Sequence, residues 1–214
     1  MADTLTQLIA TVQANLLDNA TLFSTATITA AARLALADIN TAVPAHAAAT
    51  FTAVDKQKEY ELSAYDAQAS GITDVLLRGE NEYDVSLLYD AYVEDDRWFF
   101  RLRTPQPAGK TLVALYTTPY TISGLDGSLD SSLPDPLNIA AIDGSCYYAC
   151  LARAALAVEA NNIETAVSSN WMKLARAWGD RFNKALRDCR TQPTTKGEPS
   201  TAAWNDPQHD PEYP

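Results

Sequence analysis

The sequence is poor in the residues that usually build a reaction centre. It has two histidines, three cysteines and eight glycines in 214 residues. The glycines form neither GxGxxG nor GxxxxGK[ST], the patterns that cradle phosphates, and HExxH and paired CxxC motifs are also absent. No GxSxG turn is present to expose a nucleophilic serine. We therefore predict no catalytic residue, no cofactor and no metal site, and expect that the protein is not an enzyme.

Long hydrophobic runs are missing as well. No stretch approaches the roughly 20 apolar residues that a membrane-spanning helix requires. The first residues lack the basic flank of a signal peptide. The cysteines are three, Cys146, Cys150 and Cys189. An odd number favours reduced core thiols over a disulfide framework. The sequence thus predicts a protein made in a cytoplasm, with no membrane partner.

Positive charge is scarce and unevenly placed. The formal net charge is −11, and a surface this acidic repels phosphate backbones. General nucleic-acid binding is therefore disfavoured, although an acidic protein can still let DNA pass without holding it. The last predicted helix is the exception, because it is rich in arginine and tryptophan, which are enriched at protein interfaces. We expect inter-subunit or partner contacts from its basic residues, namely Arg176, Arg181, Lys184, Arg187 and Arg190.

Helical periodicity occupies both ends of the chain. Thr4 and Gln7 form a capping box before a first helix that reaches about Leu17. A second helix is predicted from Thr29 to Val43, where Pro44 stops it, with three apolar residues facing inward: Leu34, Leu36 and Ile39. A third runs from 137 to 159. The last helix carries a long apolar stripe of Val167, Trp171, Leu174, Trp178, Phe182 and Leu186.

Between these helices the apolar period changes from 3.6 to 2. From about Ala49, short segments rich in β-branched and aromatic residues alternate with turn-type connections. They predict an antiparallel meander of four to six strands. The fold class is therefore α+β, with an antiparallel β-sheet inserted in a helical bundle. The predicted divisions are a bundle of residues 1–47 and 135–190, a β insertion at 48–123, a loop at 124–134 and an extended Pro-rich arm at 191–214.

Two acidic turns imitate functional sites. Asp126 and Asp130 have the spacing of the first oxygen ligands of a calcium-binding loop. Ser131 stands where such a loop has its glycine, and Leu137 stands where it has the bidentate glutamate. A polar turn is the better interpretation. The run 94–96, Glu-Asp-Asp, lies in a hairpin-like turn, where solvated carboxylates are more common than a catalytic acid.

The last 24 residues contain five of the eleven prolines and have no apolar period. Such a segment does not fold alone, but aromatic side chains on it are suited to docking on a partner. We predict partner binding by four of its residues, Trp204, Pro207, Pro211 and Tyr213. The alternative is an inert solvated end.

The segments ITAAARLALADINTAVP, YELSAY and LVALYTTPYTI followed by LPDPL, together with the Ala-rich helix pair, carry a family resemblance. The layout resembles head-to-tail adaptor, or neck, proteins of tailed bacteriophages over most of residues 1–190. The resemblance implies a ring of about twelve copies beneath the portal, closed by one repeated contact. It also implies portal docking by the C-terminal arm, contact with a tail or second neck protein, and DNA passing through without sequence-specific binding. The protein would then reside in the virion neck after assembly in the host cytoplasm.

Other functions stay open from sequence alone. A tail-terminator or tail-completion protein would assemble on a tail tube. A small hydrolase would need two facing carboxylates in a pocket, and a host-binding module would need a free-standing carbohydrate-binding sheet.

Overall fold

The computed structural model describes residues 4–17, 22–64, 66–79, 84–159 and 165–191. In this part of the chain, two helices precede seven strands and two longer helices follow them. The helices are α1 Leu5–Asn15, α2 Thr25–Ala42, α3 Asp135–Glu159 and α4 Thr165–Thr191. The strands are β1 Ala45–Thr52, β2 Glu59–Glu61, β3 Gly71–Leu77, β4 Val85–Ser86, β5 Tyr89–Glu94, β6 Arg97–Leu102 and β7 Thr111–Thr118. The α+β class and the inserted antiparallel strands are confirmed.

The N-terminal caps show how local sequence sets the first two helices. The predicted capping box is present: the Gln7 N–H donates to Thr4 Oγ1 at 3.3 Å, and the Thr4 N–H donates to Gln7 Oε1 at 3.1 Å. Helix α2 begins four residues earlier than predicted. Its cap is Ser24, whose hydroxyl accepts the Thr27 N–H at 3.1 Å. A serine at this position satisfies a backbone donor that would otherwise have no partner.

The inward face of α2 differs from the prediction at one residue. Leu34 is 52% exposed, whereas the buried positions are mostly alanines and isoleucines: Ile28, Ala31, Ala32, Ala35 and Ile39. The reason is the close approach of α3. A Cβ placed on Gly144 would lie 2.8 Å from the Cβ of Ala35, so only small residues fit between the helices. The alanine face therefore turns inward and leaves Leu34 at the surface.

The strands form two sheets instead of the single predicted meander. One has the order β1-β7-β3-β4 and the other β2-β6-β5, and every pairing within them is antiparallel. β1 and β7, the first and last strands of the insertion, pair over their full length from Ala45 opposite Thr118 to Thr52 opposite Thr111. Because entry and exit strands lie side by side, the chain leaves and re-enters the helices at one place.

Two hydrophobic cores result. One joins all four helices with the 120–125 connection, where the Asn40 side chain accepts the Tyr120 N–H at 2.7 Å and donates to its carbonyl at 3.2 Å. The other lies among the strands around three mutually packed rings, Phe51, Tyr60 and Phe100. The insertion thus has its own apolar interior and does not depend on the helices alone for burial.

Helices α3 and α4 pack as an antiparallel pair. Gly144 lies against Phe182, and Gly179 lies against Tyr147. The predicted apolar stripe of α4 is correct at Phe182 and Leu186, which are buried, and partly correct at its two half-buried tryptophans. Val167 and Leu174 are each 37% exposed. Next to Leu174 the smaller Ala175 occupies the helix contact instead.

Candidate assembly surfaces

Helix α4 separates its apolar and basic residues onto opposite faces. Four basic residues and Asp180 follow one another at spacings of three or four residues, which places them on one face of a helix. All are exposed, and Phe182, Leu186 and Ala175 lie on the opposite, buried face. We define the basic stripe as Lys173, Arg176, Lys184 and Arg187.

Arg181 lies beside this stripe and contacts the bundle itself. Its Nη2 lies 3.2 Å from Oδ1 of Asp143, whose side chain is 6% exposed. Its guanidinium also stacks over the Trp178 ring at 4.5 Å from the ring centroid. Burial raises the pKa of Asp143, and the Arg181 charge opposes that rise. The predicted contact residue Arg181 therefore compensates a buried carboxylate, with a guanidinium that stays largely exposed.

The raised pKa of Asp143 gives a pH-dependent stability. A carboxyl whose folded-state pKa is raised contributes stability that is full below its unfolded pKa and is lost as pH rises through the folded one. We expect the wild type to lose stability relative to Asp143→Asn as pH rises above 3.8, the ordinary value. Urea unfolding of both proteins at several pH values measures this difference. Parallel stability curves for the two would contradict the prediction.

Arg190 also makes an internal contact. Its Nε donates to the carbonyl of Ala42, the last residue of α2, at 2.8 Å. A cation at a helix C-terminus satisfies a backbone acceptor and complements the negative end of the helix dipole. Beside it is a surface groove of about 630 Å³ lined by Asp38, Thr41, Ala42, Asp180, Asn183, Leu186, Arg187 and Arg190.

The predicted contact residues thus fall into two groups. Arg181 and Arg190 hold other elements of the bundle, whereas Arg176 and Lys184 are exposed and form no ion pair within the described part of the chain. Arg187 lies on the stripe and lines the groove. The predicted docking residues Trp204, Pro207, Pro211 and Tyr213 lie outside the described residues. The roles of all nine stay predictions.

The candidate sites for chemistry have structural explanations. Burial is the largest cause that raises the pKa of both Cys146 and Cys150 to about 12, so these thiols remain protonated at neutral pH. In the calcium-like turn, Asp126 pairs with Arg33 at 2.5 Å and ties the loop to α2. Over the described ranges, no group of three or more His, Cys, Asp or Glu side chains is placed to hold a metal ion.

The 94–96 run forms the turn of the β5–β6 hairpin. Glu94 pairs with Arg97, and the two residues between them, Asp95 and Asp96, have φ values of +48° and +60°. Positive φ at both central residues is the backbone of a tight hairpin turn, which aspartate tolerates. All three carboxylates are exposed, in agreement with a solvated turn.

One exposed face was not predicted from the sequence. On the outer side of the three-stranded sheet, the rings of Tyr92 and Phe99 stack at 5.5 Å. Two ion pairs flank them, Arg97–Glu61 at 3.2 Å and Arg103–Asp90 at 3.3 Å. A hydrogen bond to the Glu59 carboxylate is the largest cause that raises the pKa of Tyr92 to about 12. The alternation of side chains in YDAYVE and RWFFRL indicates which residues share a face of each strand. Only the pairing of the two strands brings the rings of Tyr92 and Phe99 together.

No helix in the described ranges has the length and apolar character to cross a membrane. A family model described as SU10 adaptor protein matches residues 3–206, and the chain therefore belongs to the SU10 adaptor family. It is a head-to-tail adaptor, or neck, protein of a phage-like particle.

Solved structures of gene transfer agent (GTA) particles are also similar. The neck of an empty GTA particle computed with C6 symmetry has 19% identity and a TM-score of 0.30, over 65% of this chain and 75% of that one. The neck of the native particle computed with C12 symmetry has 21% identity and a TM-score of 0.30, over 69% and 79%. The native GTA virion has 18% identity and a TM-score of 0.29, over 58% and 66%. A search of curated proteins finds no match.

Proposed function

We propose that this chain is a ring subunit of the neck, joining the portal of the head to the tail or to a second neck protein. About twelve copies would close into the ring through one repeated heterologous contact. The bundle of residues 1–47 and 135–190 would form the body of each subunit and the 48–123 insertion would project from it. The loop 124–134 connects the two, and the arm 191–214 reaches the portal. Family membership supports the adaptor role.

The observation that carries the proposal is the separation of charge. Helix α4 has six basic and two acidic side chains, a net charge of +4. The whole chain has −11, so the remainder has −15. Opposite charge on two surfaces of one subunit makes neighbouring copies attract each other in a fixed orientation. An acidic portal surface would be attracted to the same helix.

The acidic remainder suits the wall of a DNA channel. Carboxylates facing the channel would repel phosphates, so the genome would slide through without sequence-specific binding. This role requires no catalytic residue and no cofactor, and we propose that the chain is not an enzyme. It would assemble in the host cytoplasm and remain in the virion.

The test is the size of the particle in solution. Light scattering after size-exclusion chromatography should show a ring, either for the protein alone or after it is mixed with its portal. A monomer under both conditions would rule out the ring. Binding to a tail tube and not to a portal would instead identify a tail-completion protein.

Charge reversal tests the basic stripe. We expect Arg176→Glu with Lys184→Glu to weaken assembly at least tenfold, since like charges placed together across an interface cost several kcal/mol. Both side chains are exposed and form no ion pair among the described residues, so the free energy of unfolding should fall by no more than about 1 kcal/mol, through repulsion of the new glutamates by Asp180 four residues away. The control is Arg78→Glu with Arg153→Glu, the same charge change at two residues outside α4: Arg78 is exposed after β3, and Arg153 is half-buried on α3. Equal loss of assembly in the two double variants would show an effect of net charge alone.

A further inference from the structure

Strand β1 is an edge strand without the usual protection against pairing. It is eight residues long, AHAAATFT, and contains no proline, no lysine and no carboxylate. Its register with β7 is continuous, without a bulge. Natural edge strands are usually blocked by short length, charge, proline or bulges, because their free N–H and C=O groups can pair with another chain.

The free backbone groups of β1 can be assigned. The Ala53 N–H donates to the Lys110 carbonyl at 2.8 Å, which continues the β1–β7 register. In an antiparallel pair, hydrogen-bonded residues alternate along the strand. The odd-numbered residues of β1 therefore bond to β7, while the N–H and C=O groups of the even ones point outward, at His46, Ala48, Thr50 and Thr52. The side chains of these four residues are exposed.

The other sheet edges are less available, with one exception. β4 has two residues, and β2 has three with a carboxylate at each end. β5 has six residues and is the other edge of its sheet. The Arg103 N–H donates to the Leu88 carbonyl at 3.0 Å, so the same alternation turns the backbone groups of Ala91 and Val93 outward.

The two edges are complementary. The segment 84–96 that contains β5 has five carboxylates and no basic residue, and Asp84, Glu94, Asp95 and Asp96 form no ion pair with any described residue. β1 has no charge of its own, and the turn after it carries Lys56 and Lys58 against one carboxylate, Asp55, all three exposed. Segment 45–58 therefore has a net charge of +1, opposite in sign to the −5 of segment 84–96. Apolar side chains are also left exposed at both edges: Val54 at 54%, Leu88 at 74% and Val93 at 52%.

We propose that the β1 edge of one copy pairs with the β5 edge of the next copy, as a shared sheet across the subunit boundary. Main-chain hydrogen bonds supply the attraction in such strand addition, and the flanking charges set the partner. Because the two edges differ, the contact is heterologous and repeats by rotation. The inference rests on the proposed ring and identifies one of its contacts.

Proline at an outward-facing position tests each edge. Thr50→Pro removes an N–H of β1 that points away from its partner strand β7. Val93→Pro removes an N–H of β5 that points away from its partner strand β6. Neither N–H takes part in the pairing within the sheet, so both sheets should remain intact. We expect each variant to keep the wild-type circular dichroism spectrum and to lose ring formation. The matched controls Thr50→Val and Val93→Thr keep the N–H and should assemble. A proline variant that is folded and forms rings like the wild type would overturn the inference.

Mixing the two proline variants identifies the partner edge. Thr50→Pro retains a free β5 edge and Val93→Pro retains a free β1 edge, so an equimolar mixture should form a dimer that cannot grow. Sedimentation velocity should show this species in the mixture and monomer for each variant alone. A dimer of Val93→Pro alone would indicate β1 paired with β1, and a monomeric mixture would exclude the contact; either result overturns the inference. Failure of the wild type to form any ring would instead refute the proposed function.

Discussion

Gly144→Val should destabilise the protein by about 3 kcal/mol or more, at the upper end of the range for overpacked cores. Three helices meet at this glycine. A Cβ there would lie 2.8 Å from the Cβ of Ala35 and 3.0 Å from a ring carbon of Phe182. Ala35 is fully buried and Phe182 is 2% exposed, so neither has room to move aside. The added valine must push α2 or α4 away from α3.

Urea unfolding followed by circular dichroism measures this loss. Ala152→Val is the control, since it places the same side chain at an exposed position of the same helix. Valine is a better helix former than glycine and a poorer one than alanine, so propensity alone would slightly favour Gly144→Val and slightly disfavour Ala152→Val. The control should change stability by less than about 1 kcal/mol. Comparable losses in the two variants would mean that the close approach at Gly144 does not limit the packing of the bundle.

Local signals in the sequence predicted local structure well. The Thr4 capping box, the end of α2 before Pro44 and strand β7 follow from side chains within a few residues of each feature. The arrangement of the strands does not follow from nearby side chains. Pairing of β1 with β7 joins Thr50 to Val113 across more than sixty residues, and the split into two sheets depends on such non-local contacts. A meander is the simplest order for consecutive strands, and the fold departs from it.

The same limit applies to the candidate surfaces. The excess of cations on α4 is visible in the sequence, and so is their helical spacing. The sequence does not show that Arg181 and Arg190 make contacts inside the bundle. Their partners, Asp143 and the Ala42 carbonyl, come close to them only when the helices pack. The prediction for Leu34 failed for a related reason. Hydrophobicity alone predicts that leucine is buried. Helices α2 and α3 lie so close together that alanine fits between them and leucine does not.

Deletion of residues 192–214 should abolish portal docking and leave the stability of the isolated subunit unchanged. Every buried core residue that the structure describes precedes residue 190, so the truncated chain retains both hydrophobic clusters. Thermal unfolding of the monomer and pull-down of the purified portal measure the two effects separately. A lower melting temperature after truncation would show that the arm packs on its own subunit, and portal docking by the truncated chain would assign the contact to another surface, such as the basic stripe.

Point substitutions then locate the anchor within the arm. We expect Trp204→Ala to weaken portal docking by about 1–2 kcal/mol, a five- to thirtyfold loss, because buried tryptophans carry a large share of binding energy at interfaces. Tyr213→Ala should act in the same direction. Gln208→Ala is the control, since it changes a polar side chain of the same segment. Titration of the portal with each variant separates two mechanisms: specific aromatic anchors make Trp204→Ala far worse than Gln208→Ala, whereas docking through the charge of the arm makes the two equal.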